Sequence, residues 1–209
     1  SARLCLYGPP GTGKTAYAQW LAKYLKKPLI QKKSSDILSM WVGRTEANIA
    51  KAFEQAKREN AILLIDEADS FLQNRAKSAR SWETTQVNEM LTQMESFEGI
   101  FIATTNLVET LDAASLRRFD LKAKFDHLSE SQALALYARW VKELNLPADA
   151  QSEEGIRALT MLTPGDFASV VRQSKFNPIS SAEDFAKRLA AECELKSAFS
   201  GKKKAIGFY

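Results

Sequence analysis

The residues Gly8, Pro9, Pro10, Gly11, Thr12, Gly13, Lys14 and Thr15 follow one another in the spacing G-x-x-x-x-G-K-[ST]. Glycines so placed let backbone N–H groups turn inward around an anion, and the lysine adds a mobile positive charge. The chemistry this suggests is capture of a triphosphate, with Lys14 directed toward the β- and γ-phosphates and the Thr15 hydroxyl toward Mg2+. Further along, an apolar run over residues 61–65 ends in Asp66-Glu67. One carboxylate there can hold Mg2+ through water while its neighbour polarises an attacking water. Adjacent acids also serve as an acidic helix start, here together with Asp69, but their place after a phosphate loop favours the metal reading. A third apolar run, 100–104, leads to Thr105-Asn106. A neutral amide at a strand end can orient a water, although Asn there is also an ordinary turn former.

These side chains need a scaffold that brings three chain segments to one edge. Residues 3–7 read as a short strand feeding the glycine-rich loop, and 14–25 show helical spacing of apolar residues. Extended residues 28–31 precede Ser34-Ser35-Asp36, a cap for a short helical turn, and 45–59 form the next helix. The run 62–65 is apolar without alternation, as expected of a strand buried on both faces. A helix over 83–97 places Val87, Met90, Leu91 and Met94 on one side. A strand at 100–104, a short helix after Asp112 and a strand at 122–125 complete the series. Strands alternating with helices imply a parallel sheet sandwiched by helices, an α/β (αβα) fold whose ligands bind at the strands' C-terminal ends. Beyond Leu128 the strand signals stop, and helical patterns cover 129–144, 152–162, 166–174 and 182–196. The expected organisation is a nucleotide-binding domain over 1–127, a small all-α lid over 128–200 and a basic tail over 201–209.

On these motifs the chain resembles the AAA+ ATPases, and within them the AAA protein-remodelling branch, over nearly its whole length. Residues 8–15 resemble that branch's Walker A loop, and Leu63-Leu64-Ile65-Asp66-Glu67-Ala68-Asp69 its Walker B strand. Ala103-Thr104-Thr105-Asn106 is similar to the sensor-1 strand, and Leu111-Asp112 through Arg117-Arg118-Phe119-Asp120 to the second region of homology. The resemblance implies ATP and Mg2+ as cofactors, bound by residues 8–15 with Ala16, and ATP hydrolysis with Glu67, Asn106 and Lys14 in the catalytic set and Thr15 and Asp66 at the metal. It also implies a homo-oligomeric, hexameric ring in which Arg117 and Arg118 reach the neighbouring subunit's nucleotide. The family usually places Pro-Gly between these arginines, and here they are adjacent, which leaves their division of labour open; pairing of one of them with Asp120 or Asp112 is the alternative. Met40-Trp41-Val42-Gly43 resembles the first pore loop, which grips an extended polypeptide substrate, with Trp41 as the gripping ring and a buried core tryptophan as the alternative. Residues 73–81, with Arg75, Lys77 and Arg80, occupy the place of the second pore loop, where the cations can favour acidic substrate segments, with a plain solvated loop as the alternative. Thr163-Pro164-Gly165-Asp166-Phe167 resembles the sensor-2 region, where Gly165 backbone can approach the nucleotide and Asp166 is either part of that site or a helix N-terminal residue.

Composition narrows the class. The 209 residues are 45% hydrophobic and 26% charged, ordinary soluble usage. No apolar run approaches the roughly 20 residues of a membrane helix, so the chain reads as soluble and cytoplasmic. Two cysteines without paired spacing and one histidine, His127, point away from disulfide frameworks, metal clusters and Ser/His chemistry. A net charge of +4, the basic loop and Lys202-Lys203-Lys204 keep a nucleic-acid motor or loader as an alternative. A scaffold that binds ATP without turning it over is a further one. Family members carry an adenine-closing segment ahead of the first strand, and only three residues precede Leu4. The chain is therefore expected to be an excised ATPase core that binds nucleotide weakly and assembles poorly.

Overall fold

The computed structural model describes residues 1–39, 43–72, 81–106 and 113–201. Met40, Trp41 and Val42 of the expected first pore loop, Arg75, Lys77 and Arg80, Leu111-Asp112 and the tail from Lys202 lie outside the described residues. Five strands form one sheet: β1 (Ala2–Tyr7), β2 (Leu29–Lys33), β3 (Ile62–Asp66), β4 (Ile100–Thr105) and β5 (Leu121–Lys124). Their order is β2-β3-β4-β1-β5, and every neighbouring pair is parallel. Parallel neighbours need crossovers, which helices supply. In chain order these are α1 (Lys14–Tyr24), α2 (Ser34–Ile37), α3 (Arg44–Arg58), α4 (Asp69–Leu72), α5 (Ser81–Ser96) and α6 (Ala113–Leu116).

The central strands are covered on both faces, as the alternation of strands and helices implies, whereas edge strand β5 is exposed at all four residues. Ile62, Leu63, Leu64 and Ile65 of β3 have no exposed surface. Leu63 and Ile65 pack with Ile49, Ala52 and Phe53 of α3 and with Met90 and Leu91 of α5. Ile62 and Leu64 face the other way, against Ala18 and Ala22 of α1. Each such side chain contributes about 2 kcal/mol relative to exposure. A slip of one residue would exchange the two sets, so this burial fixes Asp66 at the strand's end.

Three helices stop by one device. After α1, Lys26 takes a left-handed backbone (φ 52) while Lys27 N–H reaches Ala22 O at 3.0 Å. After α3, Asn60 (φ 49) does the same, with Ala61 N–H bonded to Ala56 O at 2.9 Å. The third is α7 (Glu130–Glu143), where Asn145 (φ 53) precedes Leu146, whose N–H bonds Val141 O at 3.0 Å. This pairing satisfies carbonyls that a helix end leaves unbonded.

The chain divides into two compact units, Ser1–Pro9 with Lys14–Phe125, and Pro10–Gly13 with Asp126–Tyr209. The second contains α7, α8 (Ala150–Arg157), α9 (Pro164–Gln173) and α10 (Ala182–Gly201). Its core joins Tyr137, Ile156, Leu162, Phe167, Phe185 and Leu189. Ser129 caps α7, exchanging bonds with Gln132 at 2.9 and 3.3 Å. The helix expected over 152–162 is shorter than the sequence suggests. It ends at Arg157, and Leu162, fully buried, gives its carbonyl to Leu128 N–H at 2.8 Å just ahead of Pro164. The residue before proline is pushed toward extended backbone, and Thr163 there is extended (φ −127, ψ 158) as the N-cap of α9.

Candidate active site

In a sheet of parallel strands the C-terminal ends share one edge. β1 ends there at Tyr7 and continues into the glycine-rich loop; β3 ends at Asp66 and β4 at Thr105, with Asn106 following. β4 lies between the other two, and it ties both exits: Gly8 N–H donates to Thr105 O at 3.2 Å, and Ala68 N–H to Thr104 O at 2.8 Å. Gly8 has φ 142, and a Cβ there would stand 1.8 Å from Phe125 O. Only glycine lets the loop leave the sheet by this route.

Lys14 opens α1 and is 7% exposed. Its ammonium donates to Gly8 O and Pro9 O, both at 2.7 Å. Burial pushes its pKa below lysine's ordinary value, opposed by the carboxylates of Asp66 and Asp69. Next to it, Thr15 Oγ1 lies 3.0 and 3.1 Å from the two oxygens of Asp66. Asp66 also accepts from Gln31 Nε2 at 3.1 Å and from Thr104 Oγ1. The residues fit a magnesium triphosphate: a cation and helix N-terminus for the phosphates, with hydroxyl and carboxylate oxygens for a hard ion that keeps several waters.

Glu67 is exposed and holds a left-handed backbone, φ 57, uncommon for a residue with a side chain. Two hydrogen bonds fix it there, from its N–H to Thr104 Oγ1 at 3.0 Å and from Ser34 Oγ to its carbonyl at 2.6 Å. The turn carries Glu67 away from the buried strand into solvent beside Asp66. Asp69 accepts from Thr105 Oγ1 and from Asn106 N–H, the latter at 3.1 Å, which sets Asn106 at the same edge. Sequence reasoning missed Gln31, Ser34, Thr104 and Thr105. The two threonines, consecutive polar residues closing an apolar strand, were the available signal.

Arg117 and Arg118 are placed elsewhere. Asp120 N–H bonds Arg3 O at 2.9 Å, and Arg3 N–H bonds the Asp120 carboxylate at 2.8 Å. These contacts hold Asp120 below the ordinary carboxylate range and mark the strands' N-terminal edge. At about 3.3 Å per residue, the length of β1 separates that edge from Gly8 and Lys14 of the same chain. Of the two pairings weighed from sequence, Asp120 is held by Arg3, and Asp112 is outside the described residues. Arg118 instead meets Glu95 at 3.1 Å, and Arg117 is exposed. Gly43 precedes α3 with φ 78. In the second unit Gly165 N–H donates to Gly11 O at 2.9 Å, and Asp166, 5% exposed, accepts from Thr163 N–H at 2.7 Å as part of the α9 cap.

A parallel αβα sandwich with a G-x-x-x-x-G-K-T loop after its first strand defines the P-loop nucleoside triphosphatases. Residues 4–127 match the model of the ATPase family associated with various cellular activities (AAA), and the chain belongs to that family. It is 38% identical over 128 residues to an uncharacterized AAA family ATPase, y4kL, of Sinorhizobium fredii, covering 60% of this chain and 39% of that one. It is 39% identical over 145 residues to an ATP-dependent zinc metalloprotease FtsH of Lachnoclostridium phytofermentans, covering 63% and 25%. FtsH 4 of Synechocystis, likewise named an ATP-dependent zinc metalloprotease, is 30% identical over 230 residues, covering 98% and 36%, so that likeness continues through the helical unit. The chain spans between a quarter and two fifths of these curated relatives' length. Among the described residues no helix is long and apolar enough to cross a membrane, and no three His, Cys, Asp or Glu side chains are grouped to hold a metal ion.

Proposed function

We propose that this chain is a Mg2+-dependent ATPase core that works in a homo-oligomeric ring, completes its neighbour's site through Arg117 and Arg118, and drives polypeptide through the ring's pore. The observation that supports it most is the cluster at the sheet edge, where Lys14, Thr15, Asp66 and the solvent-facing Glu67 come together. Bound Mg2+-ATP supplies the phosphoryl group and the charge neutralisation for its transfer to water. Lys14 binds phosphate oxygens through its ammonium, and residues 8–13 wrap the phosphates, with Gly11, Thr12 and Gly13, together with Ala16, contributing backbone N–H groups that Pro9 and Pro10 lack. Thr15 Oγ1 and Asp66 orient the ion. Glu67 accepts a proton at its carboxylate from a water that the Asn106 amide helps to orient. The arginines' place at the opposite end of the strands favours action in trans. The nucleotide-binding domain over 1–127 then corresponds to the first unit plus residues 10–13 and 126–127, and the lid over 128–200 to the helices of the second unit, in which Gly165 N–H meets Gly11 O.

The polypeptide reading rests on Met40-Trp41-Val42-Gly43 and on relatives named as proteases. Its test is Trp41→Ala in the intact protein. ATP turnover should persist within about threefold while unfolding of a tagged substrate is lost. Unchanged unfolding would remove Trp41 from this role.

A further inference from the structure

Beyond the residues expected at the nucleotide, α10 sends one cation toward the start of α9. Lys196 Nζ donates to Asp166 Oδ2 at 2.5 Å and to Met161 O at 3.1 Å, and lies 3.4 Å from Thr163 Oγ1. The same Asp166 oxygen takes Thr163 N–H at 2.7 Å and Thr163 Oγ1 at 2.8 Å. One buried carboxylate oxygen thus gathers the Thr163 N-cap of α9 and the lysine of α10.

On its other side this cluster meets the glycine-rich loop. Gly165 N–H donates to Gly11 O at 2.9 Å. A Cβ on Gly165 would stand 2.9 Å from Gly11 Cα, and one on Gly11 would stand 2.9 Å from Thr163 Oγ1. Residues 10–13 group with the second unit, so the whole series of contacts lies within it.

We propose that Lys196 is a positioning residue for the nucleotide: by holding Asp166 it fixes the α9 N-terminus, and through Gly165 the backbone of Gly11. Without Lys196 a buried carboxylate loses its cation close to a loop that receives phosphates, which penalises the arrangement and the anion together. The proposal rests on the reading of residues 8–15 as the nucleotide loop.

The test is titration of the intact protein with ADP and Mg2+, alongside ATP turnover at saturation and a urea midpoint. Lys196→Met should raise the ADP Kd about tenfold, keep the saturated rate within about twofold, and be rescued by Lys196→Arg. Arg188→Met breaks another α10 ion pair, Arg188–Asp184 at 2.9 Å, made within that helix. It should lower the urea midpoint and leave the Kd unchanged. Asp166→Asn, close in volume to the original, should raise the Kd as Lys196→Met does, which keeps the test open if the latter does not fold. An unchanged Kd in either variant, or an equal rise in Arg188→Met, overturns the proposal. A wild-type protein that binds no ADP overturns the underlying nucleotide reading instead.

Discussion

A carboxylate offers two oxygens and about four lone-pair positions, and Asp66 already takes donors from Thr15, Gln31 and Thr104. All three are neutral donors that orient the carboxylate oxygens, and the Lys14 ammonium supplies an opposing charge nearby. Cys5 shows the opposite use of burial. It has no exposed surface, and desolvation pushes its pKa from 9.0 to about 11, with Lys122 opposing. The folded pKa lies above the unfolded one, so this contribution is full below pH 9.0 and is lost as pH rises through about 11. The loss amounts to about 3 kcal/mol. Urea midpoints from pH 8 to 11 should fall more steeply in the wild type than in Cys5→Ala; parallel curves would contradict this.

Helix ends carry a strain that can be measured. A left-handed residue with a side chain costs about 1 kcal/mol, and Lys26 is exposed, so Lys26→Gly should raise the urea midpoint, with a gain in unfolding free energy of up to that amount. A lowered midpoint would show that the Lys26 side chain contributes more than its backbone costs. The sheet and most helices were legible because burial on two faces leaves unbroken apolar runs, as in β3, and α3 spaces Ile49, Ala52, Phe53 and Ala56 along one face. The end of α8 was not, because the apolar residues after Arg157 continue the helical pattern while packing outside the helix. Within the site, Lys14, Thr15, Asp66 and Glu67 were legible from spacing. Thr104, Gln31 and Ser34 were not, since their roles depend on which strands lie side by side, and the same holds for the Arg3–Asp120 and Arg118–Glu95 pairs.

Across the sheet as a body, Lys14 and Asp66 stand at one end of the strands and the arginines at the other, so on the proposed reading a complete site takes two copies. Glu67→Gln protein and Arg117→Ala/Arg118→Ala protein should each turn over ATP slowly, yet a mixture should recover activity, because some sites then combine an intact Glu67 with a neighbour's intact arginines. No recovery in mixed assemblies would contradict completion in trans. Hydrolysis at the edge where Lys14, Thr15, Asp66 and Glu67 meet is tested most directly by ATP binding and turnover of Glu67→Gln beside the wild type, in the intact, assembled protein. Binding within about threefold of wild type and turnover reduced by at least about 100-fold are expected. Near-normal turnover in Glu67→Gln would contradict a hydrolytic role for this edge.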